Sequence, residues 1–158
     1  MNEFIDEVKV EGLTREEKLK LLSKLLSEFA KEEIVNEFSI PVSIFNKKLG
    51  SLESIVKYMK EELKLSNKKI GEMLNRDNRT IWSIYNKAKA KNPEKLNVKS
   101  KLFIPIDILK PRKLSVLEAI VYYLKEHYKL RLHEIALYLQ RNDRTIWTVY
   151  QKAKHKAN

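Results

Sequence analysis

The chain contains one unit twice. Residues Glu53–Lys91 align without gaps on Glu118–Lys156, a shift of 65 positions, and about half of the aligned residues are identical. Identity is densest in Arg79-Thr80-Ile81-Trp82 against Arg144-Thr145-Ile146-Trp147, then at Tyr85 and Tyr150, then in Lys87-Ala88-Lys89 against Lys152-Ala153-Lys154. Upstream, Ile40-Pro41-Val42-Ser43-Ile44 matches Ile104-Pro105-Ile106-Asp107-Ile108, with one extra residue in the second copy before Leu114. Whatever one copy folds into, the other must also reach. Two copies are too few for a solenoid, so the pattern predicts tandem small domains. A chain of 158 residues has room for two such domains of roughly 50–70 residues each. The boundaries read as an N-terminal helical segment 1–38, repeat 1 at 39–92, a linker 93–102 and repeat 2 at 103–158.

Each repeat reads as three helices, and the fold class is all-α. Ser51 is placed to cap a first helix reaching about Leu63, with Leu52, Ile55, Val56 and Met59 at i, i+3, i+4, i+7 spacing. Ser115 and Glu118 form the matching capping-box pair, and Leu117, Ile120, Val121 and Leu124 repeat the stripe. A short second helix carries Ile70, Met73 and Leu74 after Ser66; its counterpart carries Ile135 and Leu139. A tight connection follows, Asn75-Arg76 or Gln140-Arg141. Asp77 or Asn142 then caps a third helix reaching about Ala90 or His155. The buried face of that helix is expected at Ile81, Ile84 or Tyr85, and Ala88, repeated as Ile146, Val149 or Tyr150, and Ala153.

The net charge of +11 is segregated along these units. Residues 1–38 are net −4, residues 39–92 net +7, the linker +2 and residues 103–158 net +6. The two basic repeats have the footprint of a polyanion site, and the acidic segment does not. With no cysteine there is no disulfide frame, no thiolate metal site and no cysteine nucleophile. Three glycines leave no Gly-rich phosphate loop. His127, His133 and His155 lack metal-ligand spacing, and no catalytic triad or dinucleotide fingerprint is visible, so neither cofactor nor enzymatic activity is expected. No apolar run reaches the ~18–20 residues of a membrane helix and the N-terminus has no signal-peptide pattern, so a cytoplasmic protein without membrane contact is expected.

A short helix, a tight turn and a longer capped helix make a helix-turn-helix arrangement, in which the third helix projects its first turn from the body. That turn holds Asn78, Arg79 and Ser83 in repeat 1 and Asp143, Arg144 and Thr148 in repeat 2, side chains suited to base edges and phosphates. Asn86, Lys87 and Lys89, or Gln151, Lys152 and Lys154, lie further along to reach the flanking backbone. Arg76 and Arg141 in the turn divide evenly between phosphate contact and support of the cap. Trp82 and Trp147 invite a stacking role, but their size favours core or inter-repeat packing.

The stretch from Leu65 through Ala88, with Ile70-Gly71 or Ile135-Ala136 in the second helix and Thr-Ile-Trp opening the third, resembles bacterial sigma-factor region 4 and LuxR-type DNA-binding domains. The whole repeat, from Ile-Pro to Lys-Ala-Lys, is similar to tandem helix-turn-helix proteins of archaea and bacteria, among them activators of archaellum operons. The resemblance implies binding to double-stranded promoter DNA and contact with the general transcription machinery. Two departures stand out. Asn75 and Gln140 replace the usual turn glycine, and of the two Asn75 adopts a left-handed backbone more readily. The copies also differ where bases would be read: Asn78 aligns with Asp143, and Lys68-Lys69 with His133-Glu134.

Thr14 and Glu17 form a capping box for a helix reaching about Phe38, with Leu19, Leu22, Leu25, Leu26, Phe29, Ile34, Val35 and Phe38 as its stripe. A homodimer or partner contact through residues 14–38, and docking on the first repeat, both remain open. The Ile-Pro segments are too short to stand alone as strands but could pair with each other, Pro limiting each to an edge. The linker could extend over roughly 35–40 Å, comparable to the ~34–36 Å between successive major-groove faces. The expected function is a sequence-specific transcriptional regulator of the activating kind. A non-specific nucleoid protein and a protein-interaction adaptor are the alternatives.

Overall fold

The computed structural model describes residues 11–158, apart from the side chains of residues 29–37. The order of elements is α1 (Arg15–Glu37), β1 (Ser39–Pro41), a 3-10 turn (Val42–Ile44), α2 (Ser51–Glu61), α3 (Asn67–Leu74) and α4 (Asn78–Lys91), then β2 (Phe103–Pro105), a 3-10 turn (Ile106–Leu109), α5 (Val116–Glu126), α6 (Leu132–Leu139) and α7 (Asp143–Ala157). The chain divides into two units, Met1–Phe38 and Ser39–Asn158. Among the described residues no helix is long and apolar enough to cross a membrane.

The first unit is α1. Its start is fixed as the sequence predicts: the Thr14 N–H donates to Glu17 Oε2 at 2.8 Å and the Glu17 N–H to Thr14 Oγ1 at 3.3 Å. Leu19, Leu22, Leu25 and Leu26 are exposed. The side chains of Phe29, Ile34 and Val35, and residues 1–10 of the expected segment, lie outside the described residues.

In the second unit the helix stripes become the core. Ile55, Val56 and Met59 of α2, Ile70 and Leu74 of α3, and Ile81 and Ala88 of α4 are fully buried where those helices pack together. Ile120, Val121 and Leu124 of α5, Ile135 and Leu139 of α6, and Ile146 and Ala153 of α7 repeat the arrangement. Burying each large aliphatic side chain contributes about 1.5–3 kcal/mol, so equivalent stripes drive equivalent packing. Even the left-handed residues recur: Lys64 and Lys129 follow the first helices, and Asn75 and Gln140 are the C-caps of the second. Ser51 does not cap α2; Gly50 does, because Glu53 reaches back to accept the Gly50 N–H at 3.3 Å and no hydroxyl is required. α2 stops at Glu61 rather than Leu63, ahead of the left-handed Lys64.

The two repeats face each other across a pseudo-two-fold axis. β1 and β2 pair antiparallel with Ile40 opposite Ile104, Ser39 opposite Pro105 and Pro41 opposite Phe103. Ile40 and Ile104 are equivalent residues of the two repeats, so the axis passes through their pair, and both are fully buried. The larger contacts between elements of the two repeats obey the same exchange. α2 packs on α5, the 3-10 turn of repeat 1 packs on α6, and the 3-10 turn of repeat 2 packs on α3. A single chain thus carries an isologous interface of the kind that usually joins two subunits.

The connector is not the free spacer its composition suggests. Leu96 and Asn92 are buried, the Ser43 hydroxyl donates to Asn97 O at 2.7 Å, and the Val42 N–H donates to Leu102 O at 3.0 Å. Lys57, fully buried in α2, donates to Glu94 O at 2.8 Å and pairs with Glu61 at 2.6 Å. A buried ammonium must be surrounded by acceptors, and the connector supplies one of them.

Candidate nucleic-acid interface

The two third helices, α4 and α7, are positioned by their caps. Asp77 Oδ1 accepts the Thr80 N–H at 2.8 Å and Oδ2 accepts the Thr80 hydroxyl at 2.8 Å, which holds the Asp77 carboxyl below its ordinary range. Asn142 Oδ1 accepts the Thr145 N–H at 2.7 Å. The preceding turn is left-handed in both copies, at Asn75 (φ 55°) and Gln140 (φ 54°). Gln140 therefore adopts the conformation as fully as Asn75 does. Gly71 has a separate reason: a Cβ there would run into the Arg76 carbonyl oxygen, whose residue turns back to donate its N–H to Gly71 O at 2.8 Å.

Side chains at i, i+1, i+4, i+5, i+8 and i+9 share one helix face. On α4 these are Asn78, Arg79, Trp82, Ser83, Asn86 and Lys87, all exposed except the half-buried Ser83. On α7 they are Asp143, Arg144, Trp147, Thr148, Gln151 and Lys152, all exposed. The opposite stripes, Ile81 and Ala88 or Ile146 and Ala153, are fully buried. Arg79, Lys87, Arg144 and Lys152 form no salt bridge within the described residues.

The tryptophans correct the expectation from size. Trp82 is 60 % exposed and Trp147 56 %, at the same position of each third helix, and neither joins a core. They sit at the centre of the basic face, between Arg79 and Asn86 or Arg144 and Gln151. The helical period already placed them opposite Ile81 and Ala88; only residue type argued for burial.

Arg141 also takes a structural place. Its guanidinium donates to Asn46 O at 2.7 Å and Leu49 O at 2.9 Å in the other repeat, and to Leu139 O and Gln140 O at 3.2 and 3.4 Å. Arg76 donates to Leu74 O at 2.7 Å. Burial, and then the nearby charge of Arg112, lower the Arg76 pKa from its ordinary value. Both turn arginines thus bind carbonyls at the end of the preceding helix, and Arg141 also ties the two repeats together. Two further candidates are tied to their own helix: Asn86 Nδ2 donates to Trp82 O at 3.0 Å, and the Thr148 hydroxyl to Arg144 O at 2.9 Å.

The copies are not equivalent at the first turn of the third helix. Lys68 and Asn78 line one concavity at the start of α4. Their counterparts form a pair, His133 Nδ1 lying 2.9 Å from Asp143 Oδ1, with both side chains about two-thirds exposed. On α6, Leu137 and Tyr138 are exposed where α3 carries Glu72 and Met73.

Comparison with protein-family models, with curated proteins and with solved structures returns no match. The chemistry of this face therefore has to be read from its own residues. An exposed face with arginine at its start, tryptophan at its centre and lysine beyond offers hydrogen bonds to base edges, an apolar surface for a thymine methyl, and charge for phosphates.

Proposed function

We propose that the chain is a sequence-specific double-stranded DNA-binding regulator of transcription. In this reading each repeat is a trihelical helix-turn-helix module, and α4 and α7 enter the major groove. The observation that carries it is the pair Trp82 and Trp147. A tryptophan exposes an apolar ring to water at a cost, and two at equivalent positions on two basic faces are best explained by a surface that a partner covers. Arg79, Lys87, Arg144 and Lys152 around them, which form no salt bridge among the described residues, make that partner anionic.

The pseudo-two-fold axis adds geometry to the chemistry. Symmetric helix-turn-helix pairs read inverted half-sites whose centres are one helical turn apart, or a multiple of it. One chain would then do what a homodimer does elsewhere, with half-sites that differ because Asn78 is replaced by Asp143. Promoter activation, contact with the general transcription machinery, and control of an archaellum operon extend the proposal on the strength of the resemblance alone.

The test is equilibrium binding by the full chain. Arg79→Ala is expected to cost about 1–3 kcal/mol and relax base preference at one position, whereas Lys87→Ala weakens binding on all sequences and flattens its salt dependence. Unchanged affinity in both variants sinks the reading. A nucleoid protein is separated by competition: a regulator prefers its site over random duplex by roughly 10³-fold or more. Leu137 and Tyr138, exposed on α6, support a second reading in which repeat 2 docks a protein; that reading requires repeat 2 to add nothing to DNA affinity.

A further inference from the structure

We propose that each half of the DNA interface is completed by the other repeat, whose basic loop supplies phosphate contacts beside the third helix it does not belong to. The proposal rests on the DNA-binding reading above and extends it to residues that reading does not use. The loops are equivalent in the two copies: Asn46-Lys47-Lys48-Leu49 before α2, and Lys110-Pro111-Arg112-Lys113-Leu114 before α5.

The pseudo-two-fold exchange sets each loop against the opposite turn. Arg141, one residue before the Asn142 cap of α7, donates to Asn46 O and Leu49 O and so fastens the first loop to the start of α7. Asn46 stiffens that loop from within, its Oδ1 accepting the N–H groups of Lys48 at 2.9 Å and Leu49 at 3.1 Å. With its backbone held and Leu49 buried, the loop presents Lys47 and Lys48 to solvent, and Lys47 lines one concavity with Gln140, Arg141 and Asn142.

The reciprocal contact places Arg112 in a concavity with Lys68, Asn75, Arg76 and Asn78 at the start of α4. Glu72 and Asp77 line it too, but Asp77 is engaged as the helix cap by Thr80. Among the described residues Lys47, Lys48, Lys110, Arg112 and Lys113 form no salt bridge. Arg76 and Arg112 stand close enough for their charges to oppose each other. The cations of that concavity, Lys68, Arg76 and Arg112, outnumber its carboxylates, Glu72 and Asp77, and an external anion stabilises the excess. At the first turn of a helix that reads bases, the anion that fits is the phosphate of the flanking DNA strand.

The experiment compares the full wild-type chain with Lys47→Ala/Lys48→Ala, with Arg112→Ala, and with a control, Lys18→Ala/Lys20→Ala, which removes the same charge from α1. The probe is a labelled 30-base-pair duplex of random sequence, titrated at several salt concentrations. Each lost phosphate contact lowers the slope of log affinity against log salt by ~0.9, so the loop double variant should lose about 2 and Arg112→Ala about 1. The control should retain the wild-type slope. Loop variants that keep their circular dichroism and match the control overturn the inference while leaving the DNA-binding reading intact; failure of the wild-type chain to bind overturns both. Hydroxyl-radical footprints on a selected duplex test the crossing. Lys47→Ala/Lys48→Ala should lose protection in the half-site whose base preference Arg144→Ala alters. Loss in the half altered by Arg79→Ala contradicts the composite site.

Discussion

Replacing Arg141 by alanine separates a residue that holds the protein together from one that holds DNA. The side chain makes two hydrogen bonds across the repeats, at 2.7 and 2.9 Å, and two longer ones within its own turn. A hydrogen bond from a charged donor contributes about 1.5–3 kcal/mol. Arg141 is half-buried, so water can recover part of what the carbonyls of Asn46 and Leu49 lose, and the arginine's own rotamer freedom, up to about 2 kcal/mol, returns in its absence. The net expectation is a loss of about 2–3 kcal/mol. For a folded unit of this size, that corresponds to a melting temperature lower by roughly 6–15 °C. Arg141→Lys should recover little, because an ammonium cannot bridge two carbonyls as the guanidinium fork does. Arg76→Ala, with one bond to Leu74 O and a neighbouring cation relieved, should shift melting less. Thermal unfolding followed by circular dichroism reads all three. A melting temperature for Arg141→Ala within about 2 °C of wild type, together with weaker DNA binding, would refute the interlock and restore the residue to the phosphate contacts.

Two further outcomes follow from groups inside the repeats. Lys57→Ala leaves Glu61 and the Glu94 carbonyl without their buried partner and should cost about 3 kcal/mol or more, while Lys57→Met, which keeps the volume, should be milder; urea midpoints decide. In acid, Asp77, Glu118 and Glu134 act together, each carboxyl lying below its ordinary value. For Asp77 the hydrogen bonds from Thr80 are the cause, and for Glu134 that from the Arg131 N–H. For Glu118 burial works in the opposite sense and is outweighed by Lys156 and the Ser115 cap. A depressed carboxylate contributes stability above its unfolded pKa and loses it as pH falls through the folded value, so urea midpoints should drop below about pH 4.5. Glu118→Gln should remove part of that drop; an unchanged profile would show that the carboxylate interactions contribute nothing.

Local features were legible because local physics decides them. Asp77, Ser115 and Asn142 cap their helices as residue type and position predict. The stripes Ile55-Val56-Met59 and Ile120-Val121-Leu124 are buried as their spacing predicts. The less legible features depend on residues far apart in the chain. Arg141 meets Asn46 across 95 positions and Lys57 meets Glu94 across 37, and no window of sequence contains either pair. The connector's polar composition concealed that Leu96 and Asn92 are buried. The two-fold relation hid in three-residue strands whose pairing was foreseeable but whose register, Ile40 on Ile104, was not. Trp82 and Trp147 depart from the expectation for another reason: helical phase outweighs side-chain size, because Ile81 and Ala88 occupy the buried face of α4.

In the proposed function, two inward-locked repeats present α4 and α7 to one duplex through a two-fold relation. Selection of bound sequences from a random duplex pool by the full chain tests it most directly. The expected result is an enriched motif of two inverted half-sites, similar but not identical, with the difference traced to Asn78 and Asp143. A motif of two direct repeats, or a pool that yields no motif, would contradict it.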